Sequence, residues 1–263
     1  MHGFIAFFDI LGYRNFLRNN SATESAKEVL GVISEIDKRV YKQCTPAKLN
    51  ADDQRAFDSM RKSTDWLTFS DTIVLTTAVE ENLTPSERVF RAMYFLMHSA
   101  SVVSAMFLNG LPVRGALHYG SYVFEKTCIA GTGIVDSYDM CSGLDLATAI
   151  VSDECMNEFR AAVKAGKIWE AVLSLLVTPY LIPTKIGEVK GHVLDWWGIV
   201  AQAAEKDASP STIDQIVWSA FWKHGKDISE TAESKVSNTL KLVRYLVIRK
   251  EKREQSITTK EKK

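Results

Sequence analysis

Two short apolar stretches that each carry one aspartate constrain this chain more than any other part of the sequence. Residues 4–11 read Phe-Ile-Ala-Phe-Phe-Asp-Ile-Leu and precede a glycine, and such a run of aromatic and β-branched residues predicts a buried strand followed by a turn. Residues 65–77 predict two more strands that meet in a tight turn at Ser70 and Asp71. Asp9 and Asp71 therefore both stand where a strand ends.

The position of these aspartates indicates a shared site. A buried carboxylate without a partner costs several kcal/mol, so a divalent cation between Asp9 and Asp71 would offset both their burial and their mutual repulsion. Oxygen ligands favour Mg²⁺ or Mn²⁺ over zinc. The residues alone leave an alternative open, in which Asp9 caps the helix that follows and Asp71 only shapes the hairpin turn.

The composition bounds the class of protein. The chain has 263 residues, 46% hydrophobic and 24% charged, with a formal net charge of zero. This is an ordinary globular composition, and the neutral balance gives no electrostatic reason to expect a nucleic acid or membrane partner. The four cysteines lack metal-ligand spacing, the first residues lack the features of a signal peptide, and we find no apolar run long enough to span a bilayer. We therefore expect a cytoplasmic protein.

The rest of the pattern predicts alternating helices and strands. Apolar residues at helical spacing predict helix between about 13 and 41, and a capping box at 84–87 opens a long helix that ends near 109. A strand follows from 111, and a glycine-bearing turn at 129–134 precedes a helix predicted over 135–150. The order β-α-β-β-α-β predicts an α+β fold, with an antiparallel sheet and helices packed on one face.

Three regions are predicted along the chain. Residues 1–155 form the α+β core, and 156–250 form a mainly helical extension packed on it. Residues 251–263 are rich in Lys and Arg and predict a disordered basic tail.

Three stretches in the core resemble motifs of the class III nucleotidyl cyclases. Residues 7–13 (Phe-Phe-Asp-Ile-Leu-Gly-Tyr) are similar to the first metal motif, and 69–75 (Phe-Ser-Asp-Thr-Ile-Val-Leu) to the hairpin motif. Residues 111–120 resemble the strand that leads into a glycine in that family. The resemblance covers about residues 3–155 and implies a ferredoxin-like cyclase homology core as the catalytic domain.

The resemblance also implies a set of metal ligands and substrate contacts. It assigns two Mg²⁺ or Mn²⁺ ions to Asp9, Asp71 and the main-chain carbonyl of Ile10. The residues around the first aspartate, Phe8, Gly12 and Tyr13, would lie against the nucleoside triphosphate. A glycine at position 12 allows close approach of the main chain to phosphate, although it would serve an ordinary strand-to-helix turn equally well.

Other family positions differ in this sequence. A helical Val-Asn-x-Ala-Ala-Arg motif matches 144–149, which places Asp145 at the Asn and Ala149 at the transition-state Arg. Arg114 is a candidate for the missing charge, or else a member of a structural ion pair. At the two base-selecting positions stand Leu67, where purine cyclases have Lys, and Tyr138.

With these departures at the base-selecting positions, the sequence resembles the pyrimidine cyclases of Pycsar anti-phage systems. The resemblance implies that UTP or CTP is cyclised to cUMP or cCMP, which acts on a cyclic-nucleotide-responsive effector. It implies a homodimer with active sites at the interface, where one protomer contributes Asp9 and Asp71 and its partner contributes Asp145, Tyr138 and Arg114. Two alternatives remain: an inactive cyclase-fold module that binds nucleotide or acts as a regulator, and a different metal-dependent phosphoryl-transfer enzyme.

Overall fold

The computed structural model of the protein describes residues 1–20, 24–45, 48–164, 166–204, 212–226 and 230–261. The strands are β1 (His2–Ile10), β2 (Thr64–Phe69), β3 (Thr72–Ala78), β4 (Val113–Ser121), β5 (Val123–Glu125), β6 (Cys128–Ala130), β7 (Ala149–Val151), β8 (Val177–Thr184) and β9 (Gly187–Leu194). The α-helices are α1 (Tyr13–Asn19), α2 (Glu24–Ser34), α3 (Ile36–Cys44), α4 (Ala51–Lys62), α5 (Pro85–Leu108), α6 (Thr132–Gly143), α7 (Asp153–Val163), α8 (Lys167–Leu176), α9 (Trp197–Ala204), α10 (Ile213–Trp222) and α11 (Glu230–Glu261). A 3₁₀ turn spans Lys223–Gly225.

The main sheet has seven strands in the order β2-β3-β1-β4-β7-β9-β8. Its neighbours pair antiparallel except for β4 and β7, which are parallel. The first four strands, with α1 to α4 between β1 and β2 and α5 between β3 and β4, form the split β-α-β arrangement of ferredoxin-like folds. The predicted α+β class is confirmed.

Strand β1 separates the two faces of the sheet because its side chains alternate. Phe4 and Phe8 point into the main core, where the ring of Phe4 stacks on Phe95 of α5 at a centroid distance of 5.1 Å. Ile5 points to the other face, where it lies so close to Gly133 of α6 that a side chain on that glycine would collide with it. Helices therefore cover most of one face, and α6 covers part of the other.

Helix α5 is the central helix of the core. The capping box at Thr84 and Glu87 is present as predicted, and Asn109 caps the other end. Among the described residues, α5 alone has the length and apolarity that a membrane span would need, and 89% of its most apolar window is buried within the protein. The prediction that no segment reaches those dimensions is wrong for α5, whose apolar surface is used for packing.

The extension after residue 155 contributes strands as well as helices. Strands β8 and β9 form a hairpin that pairs with β7 and continues the core sheet. Proline is uncommon in strands, so Pro179 and Pro183 give no local signal for one. Both lie in β8, the last strand of the sheet, where a missing N–H donor can face away from the ladder.

Helix α6 is shorter than predicted. It begins at Thr132 and ends at Gly143, and the residues after it turn into β7, where Ala149 pairs with Gly115 of β4. Residues 144–149 are therefore not helical. Pairing of Ala149, Ile150 and Val151 with two neighbouring strands outweighs the helical spacing of the apolar residues in this segment.

Helix α11 continues through the segment predicted as a disordered basic tail, as far as Glu261. The sequence there alternates Lys and Arg with Glu, and all three are good helix formers. Arg253 also donates a hydrogen bond to the main-chain oxygen of Ser174 in α8. Helix propensity and contacts of this kind carry the helix past residue 250.

A buried lysine connects the extension to the loops beside β1. Lys226 is 3% exposed, and its Nζ donates to the main-chain oxygens of Gly110 (2.6 Å) and Ala220 (3.3 Å). Gly110 follows the end of α5 and Ala220 lies in the last turn of α10, so the ammonium lies at two helix C-termini, which favour a cation. Its aliphatic part lies against Gly12, which follows β1.

We expect a pH-dependent contribution of Lys226 to stability. Burial, with Lys223 nearby, lowers the pKa of Lys226 to about 7, whereas an unfolded lysine titrates near 10.4. Between these values the unfolded chain binds more protons, so this group makes unfolding less favourable as pH rises. Relative to Lys226→Met, the wild-type free energy of unfolding should rise by about 1–2 kcal/mol from pH 7 to 9. The rise is smaller than the pKa difference alone would give, because the two carbonyls favour the charged form of Lys226 in the folded protein.

Urea unfolding at several pH values measures this difference, with Lys42→Met, an exposed lysine on α3 away from Lys226, as the control that should follow the wild type. Parallel curves for wild type and Lys226→Met would show that Lys226 stays charged in the folded protein.

Candidate active site

Asp9 and Arg114 lie side by side across two strands. The register aligns Phe69, Thr72, Asp9 and Arg114 in one row that crosses β2, β3, β1 and β4. Residues in one row of a sheet have side chains on the same face. This row lies at one edge of the sheet face that α6 partly covers. The Asp9 carboxylate and the Arg114 guanidinium are partly buried there, with side-chain exposures of 23% and 18% respectively.

Asp71 is brought to the same end of β1 by the β2–β3 turn. Ser70 adopts a left-handed conformation with φ of 55°, which reverses the chain in two residues. The main-chain oxygen of Asp71 accepts a hydrogen bond of 3.0 Å from the main-chain N–H of Ile10. This bond fixes the tip of the hairpin to the residue that follows Asp9.

Arg114 neutralises Asp9 within the same chain. Its Nε and one terminal nitrogen both donate to Oδ2 of Asp9 at 2.8 Å, and its other terminal nitrogen donates to the main-chain oxygen of Ser142 at 2.9 Å. Within the described ranges no group donates to Oδ1 of Asp9, which keeps its lone pairs for another ligand. This pairing within one protomer differs from the expectation that Arg114 faces the Asp9 of a partner.

Charge and burial compete at Asp9. Burial raises the pKa of the Asp9 carboxyl, Arg114 opposes that rise, Asp71 adds to it, and Lys185 opposes it. Cys141 of α6 is buried near the Asp9 carboxyl, and its thiol donates a weak hydrogen bond to the main-chain oxygen of Arg114 at 3.5 Å. Burial raises the pKa of this thiol to about 12. The thiol is therefore uncharged and lines the site.

Lys185 is a residue of the site that sequence reasoning missed. It lies in the turn of the β8–β9 hairpin, is exposed, and is near enough to Asp9 to lower the pKa of that carboxyl. Its main-chain N–H donates to the oxygen of Gly143 at 2.9 Å, which ties the hairpin tip to the end of α6. Contacts between residues distant in the sequence, this bond and the pairing of β9 with β7, bring the lysine to Asp9, and no local motif signals it.

The predicted substrate contacts near Asp9 separate into two groups. Gly12 has φ of 78°, a left-handed conformation that glycine adopts without strain, and it caps α1. Tyr13 opens α1 and is buried, and burial together with the Asp71 charge raises the pKa of its hydroxyl. Phe8 is fully buried on the opposite face of the sheet, so only its main chain can face the site.

Leu67 and Tyr138 flank one aromatic residue on the partly open face. Leu67 is in register with Val74 and, through it, with Phe7, and the edge of the Tyr138 ring meets Phe7 at a centroid distance of 5.7 Å. Tyr138 is 54% exposed and Phe69 is 75% exposed. The two predicted base-selecting residues therefore border a single apolar surface next to Asp9.

Asp145 is held elsewhere by the extension. Its carboxylate lies 3.2 Å from Nζ of Lys235 and accepts a hydrogen bond of 3.1 Å from Asn238, both in α11. It follows the end of α6, and Ala149 is buried in β7. The contacts of Asp145 are those of a structural ion pair, not those of the helical Asn to which it was matched.

Helix α6 follows the glycine-bearing turn, where the motif was expected. Its sequence places Val135-Asp136 at the Val-Asn pair and Met140 at the Arg position, and the helix contains no Lys or Arg. Oδ2 of Asp136 lies 3.7 Å from Nε2 of His118. The helix was predicted to run to residue 150 but ends at Gly143, so residues 144–149 do not lie on it.

The chemistry of the donor set fits a divalent cation. A carboxylate whose pKa is raised by burial and by a second carboxylate gains most from a bound cation. Oδ1 of Asp9, the side chain of Asp71 and the carbonyl of Ile10 are all oxygen ligands of the kind that Mg²⁺ and Mn²⁺ prefer. Over the described residues there is no cluster of three or more His, Cys, Asp or Glu side chains suited to a metal.

No protein-family profile and no curated protein matches the sequence. Solved structures of cyclase domains do match. The catalytic core of a rhodopsin-guanylyl cyclase with converted specificity, in complex with ATPalphaS, is 12% identical with a TM-score of 0.46, over 73% of this chain and 94% of that chain. The monomeric guanylyl cyclase domain of the RhoGC fusion protein from the aquatic fungus Blastocladiella emersonii is 12% identical with a TM-score of 0.43, over 61% and 85%.

The adenylyl cyclase CyaB from P. aeruginosa is 10% identical with a TM-score of 0.40, over 74% of this chain and 94% of that chain. Because the identities and TM-scores are low, the function proposed for this chain rests on its own site residues.

Proposed function

We propose that the protein is a nucleotidyl cyclase that converts a pyrimidine nucleoside triphosphate, UTP or CTP, to its 3′,5′-cyclic monophosphate and pyrophosphate. The observation that carries the proposal is the meeting of Asp9 and Asp71 at the end of β1, fixed by the bond from Ile10 to the Asp71 carbonyl. The alternative for Asp9, a cap of the following helix, is not supported, since Gly12 is the N-cap of α1 and no side chain caps it.

In this reaction the ribose 3′-hydroxyl gives up its proton to water and its oxygen forms a bond to the α-phosphorus. The bond from that phosphorus to the oxygen that bridges to the β-phosphate breaks, and pyrophosphate leaves. Asp9, Asp71 and the Ile10 carbonyl would hold two Mg²⁺ or Mn²⁺ ions. Such ions lower the pKa of the attacking hydroxyl and stabilise charge on the phosphate oxygens. Arg114 orients Asp9, and Gly12 allows the main chain to approach the phosphates at the N-terminus of α1.

Pyrimidine specificity is proposed from Leu67 and Tyr138. Neither carries the charged group that purine cyclases present at the first of these positions, and the apolar surface they share with Phe7 favours a base held by stacking and one hydrogen bond. The product would be a second messenger for a cyclic-nucleotide-responsive effector, and we extend to this chain the antiviral role of the pyrimidine cyclases that its motifs resemble.

A homodimer would complete the site. Phe69, Val135 and Tyr138 are large apolar side chains exposed on the same side as the site, and exposed apolar surface of this kind marks an interface. The partner would cover this surface and supply the second half of the substrate pocket. Arg114 and Asp145 are engaged within their own chain, as is the Tyr138 ring against Phe7, so the partner's contribution is proposed to come from the exposed side of its α6, where Val135 lies.

The test is a product assay on the purified protein with ATP, GTP, CTP and UTP in turn, in the presence of Mn²⁺. A single cyclic pyrimidine nucleotide as the product would support the proposal and identify the base. A cyclic purine product would overturn the base assignment and leave the chemistry in place. Formation of no cyclic nucleotide by a folded dimer would contradict the enzyme proposal.

Leu67→Lys is expected to shift base preference toward purines. The substitution places an ammonium beside the Phe7 surface, at the position where purine cyclases carry Lys. We expect the ratio of ATP to UTP turnover to rise about tenfold, which is the effect of one added hydrogen bond to the base. Competition assays with both nucleotides measure this ratio, and Thr68→Lys on the opposite face of β2 is the control. An unchanged ratio would show that Leu67 does not contact the base.

One observation favours a second candidate, a cyclase-fold module that binds a nucleotide without turnover. Helix α6 has no arginine or lysine, and a transition-state arginine is worth orders of magnitude in rate in phosphoryl transfer. Thermal stabilisation by Mn²⁺ with UTP or CTP but without a product would favour this module.

A further inference from the structure

A cleft with basic side chains lies between the core and the extension, away from Asp9. It has a volume of about 410 Å³ and is bordered by α7, α8, the first residues of β8, the last part of β9 and α11. Volumes of this order are typical of sites for small organic ligands. In the β8–β9 hairpin, the paired residues Pro179 and His192 line the cleft, whereas Lys185 lies in the turn. At the rise of a β-strand, that turn is about 17 Å from the Pro179–His192 pair.

Three cationic side chains border the cleft. Arg160 and Lys164 lie in the last turn and at the C-cap of α7, are exposed, and form no ion pair or hydrogen bond with other described residues. The Arg160 guanidinium is near enough to His192, another lining residue, to lower the pKa of that imidazole beyond the effect of burial. Arg160 and His192 therefore lie close together at the cleft.

Arg249 of α11 is the third cation, and it is already fixed in place. Its guanidinium donates to Oγ1 of Thr178 and, at 3.5 Å, to the main-chain oxygens of Ser174 and Val177. Because these contacts orient the side chain before any ligand arrives, binding would cost little conformational entropy at this position.

Acidic groups do not balance these cations inside the cleft. Glu170 is the one acid among the lining residues. Asp153 and Asp195 act on His192 and Arg249 respectively from outside the lining. The lining carries three positive charges and one negative charge, while the formal charge of the whole chain is zero. This local excess favours an anion.

The floor of the cleft is apolar. Met156, Val163, Leu173 and Val177 line it and are buried. An inorganic anion would leave this floor uncovered, whereas a ligand with a ring or chain attached to its anionic group would bury it.

We propose that this cleft binds a small phosphate ester of nucleotide size, with the phosphate at Arg160, Lys164 and Arg249 and the less polar part of the ligand on the apolar floor. Arginine presents paired donors that match phosphate oxygens, and lysine adds a mobile point charge. The proposal does not depend on cyclase activity, since the cleft and the Asp9 site share no residue.

The test is calorimetric titration of the full chain in EDTA with three probes: UMP, AMP and inorganic phosphate. We expect saturable binding of a nucleotide, weakened about tenfold or more in Arg160→Gln/Lys164→Gln, as the loss of charge-assisted contacts predicts. Glu170→Gln removes the opposing charge and should bind a few-fold more tightly. Arg39→Gln/Lys42→Gln, an exposed pair on α3, is the matched control and should bind as the wild type does.

All the substituted residues are exposed, so the folded state should persist, and thermal unfolding verifies this. Absence of saturable binding by all three probes at millimolar concentration would overturn the proposal. Equal affinities in the cleft variant and in the control variant would place the binding elsewhere and overturn it too. Inorganic phosphate that binds as tightly as the nucleotides would contradict a role for the apolar floor. None of these outcomes bears on whether UTP or CTP is cyclised with Mn²⁺.

Discussion

Asp71→Asn is expected to lower cyclic nucleotide formation by about three orders of magnitude, equal to about 4 kcal/mol of transition-state stabilisation, because loss of one carboxylate ligand weakens a metal that contributes several kcal/mol. The fold should be retained. Asp71 holds Ile10 through its main-chain oxygen, and asparagine preserves both that bond and the preference for a turn. Assays of product with Mn²⁺ at saturating UTP or CTP measure the effect.

A readout other than activity distinguishes a metal site from a structural turn. Mn²⁺ should raise the thermal midpoint of the wild type, since a ligand that binds only the folded state stabilises it, and this increase should be lost in Asp71→Asn. Asp65→Asn, a carboxylate on β2 of the same hairpin, is the matched control. An Asp71→Asn protein with full activity would rule out the proposed metal site.

Arg114→Met is expected to destabilise the metal-free protein by about 2–3 kcal/mol, since removing one partner of a largely buried ion pair leaves the other charge uncompensated. The loss is smaller than for a fully buried pair because both side chains keep some exposure, 18% for Arg114 and 23% for Asp9. Methionine fills much of the volume of the arginine stem, so the loss reports the charge. Urea unfolding in EDTA measures it.

Mn²⁺ separates the electrostatic contribution of Arg114 from simple packing. A cation bound to Asp9 and Asp71 replaces the missing guanidinium, so Mn²⁺ should stabilise Arg114→Met more than it stabilises the wild type. Adding Asp9→Asn to this variant should restore part of the stability in EDTA, because the unpaired carboxylate is gone. Arg88→Met breaks a more exposed pair, with Glu158 at 3.6 Å, and should cost less than about 1 kcal/mol. Equal losses at Arg88 and Arg114 would contradict this account.

Local sequence signals predicted the elements that form the first half of the site. The apolar run of β1 and the β2–β3 turn carry their own pattern, and the α5 capping box is complete within four residues. Pairing of these strands with β4 then brings Asp9, Asp71 and Arg114 to the same end of β1. The stability of helix α4 depends on Phe57 and Met60 packing with Phe90 and Tyr94, which no local pattern reveals.

The parts of the site that depend on distant pairing could not be predicted. Lys185 reaches Asp9 through the pairing of β9 with β7 and the bond from its N–H to Gly143. The strand before it contains two prolines, which give no local strand signal. Helix α6 ends at Gly143 because residues 149–151 pair with β4 as a strand of the sheet. The sequence placed Asp145 on a helix because apolar spacing alone continues the helix past Gly143.

The row of residues from Phe69 through Thr72 and Asp9 to Arg114 has a consequence for the evolution of this chain. Insertion of one residue within β1 would turn Asp9 toward the core and Phe8 toward solvent, because successive side chains in a strand point to opposite faces. The four helices between β1 and β2 are under no such constraint. Descendants of this protein can therefore vary widely in the distance between the two aspartates along the chain, while the length of β1 must change in steps of two residues or not at all.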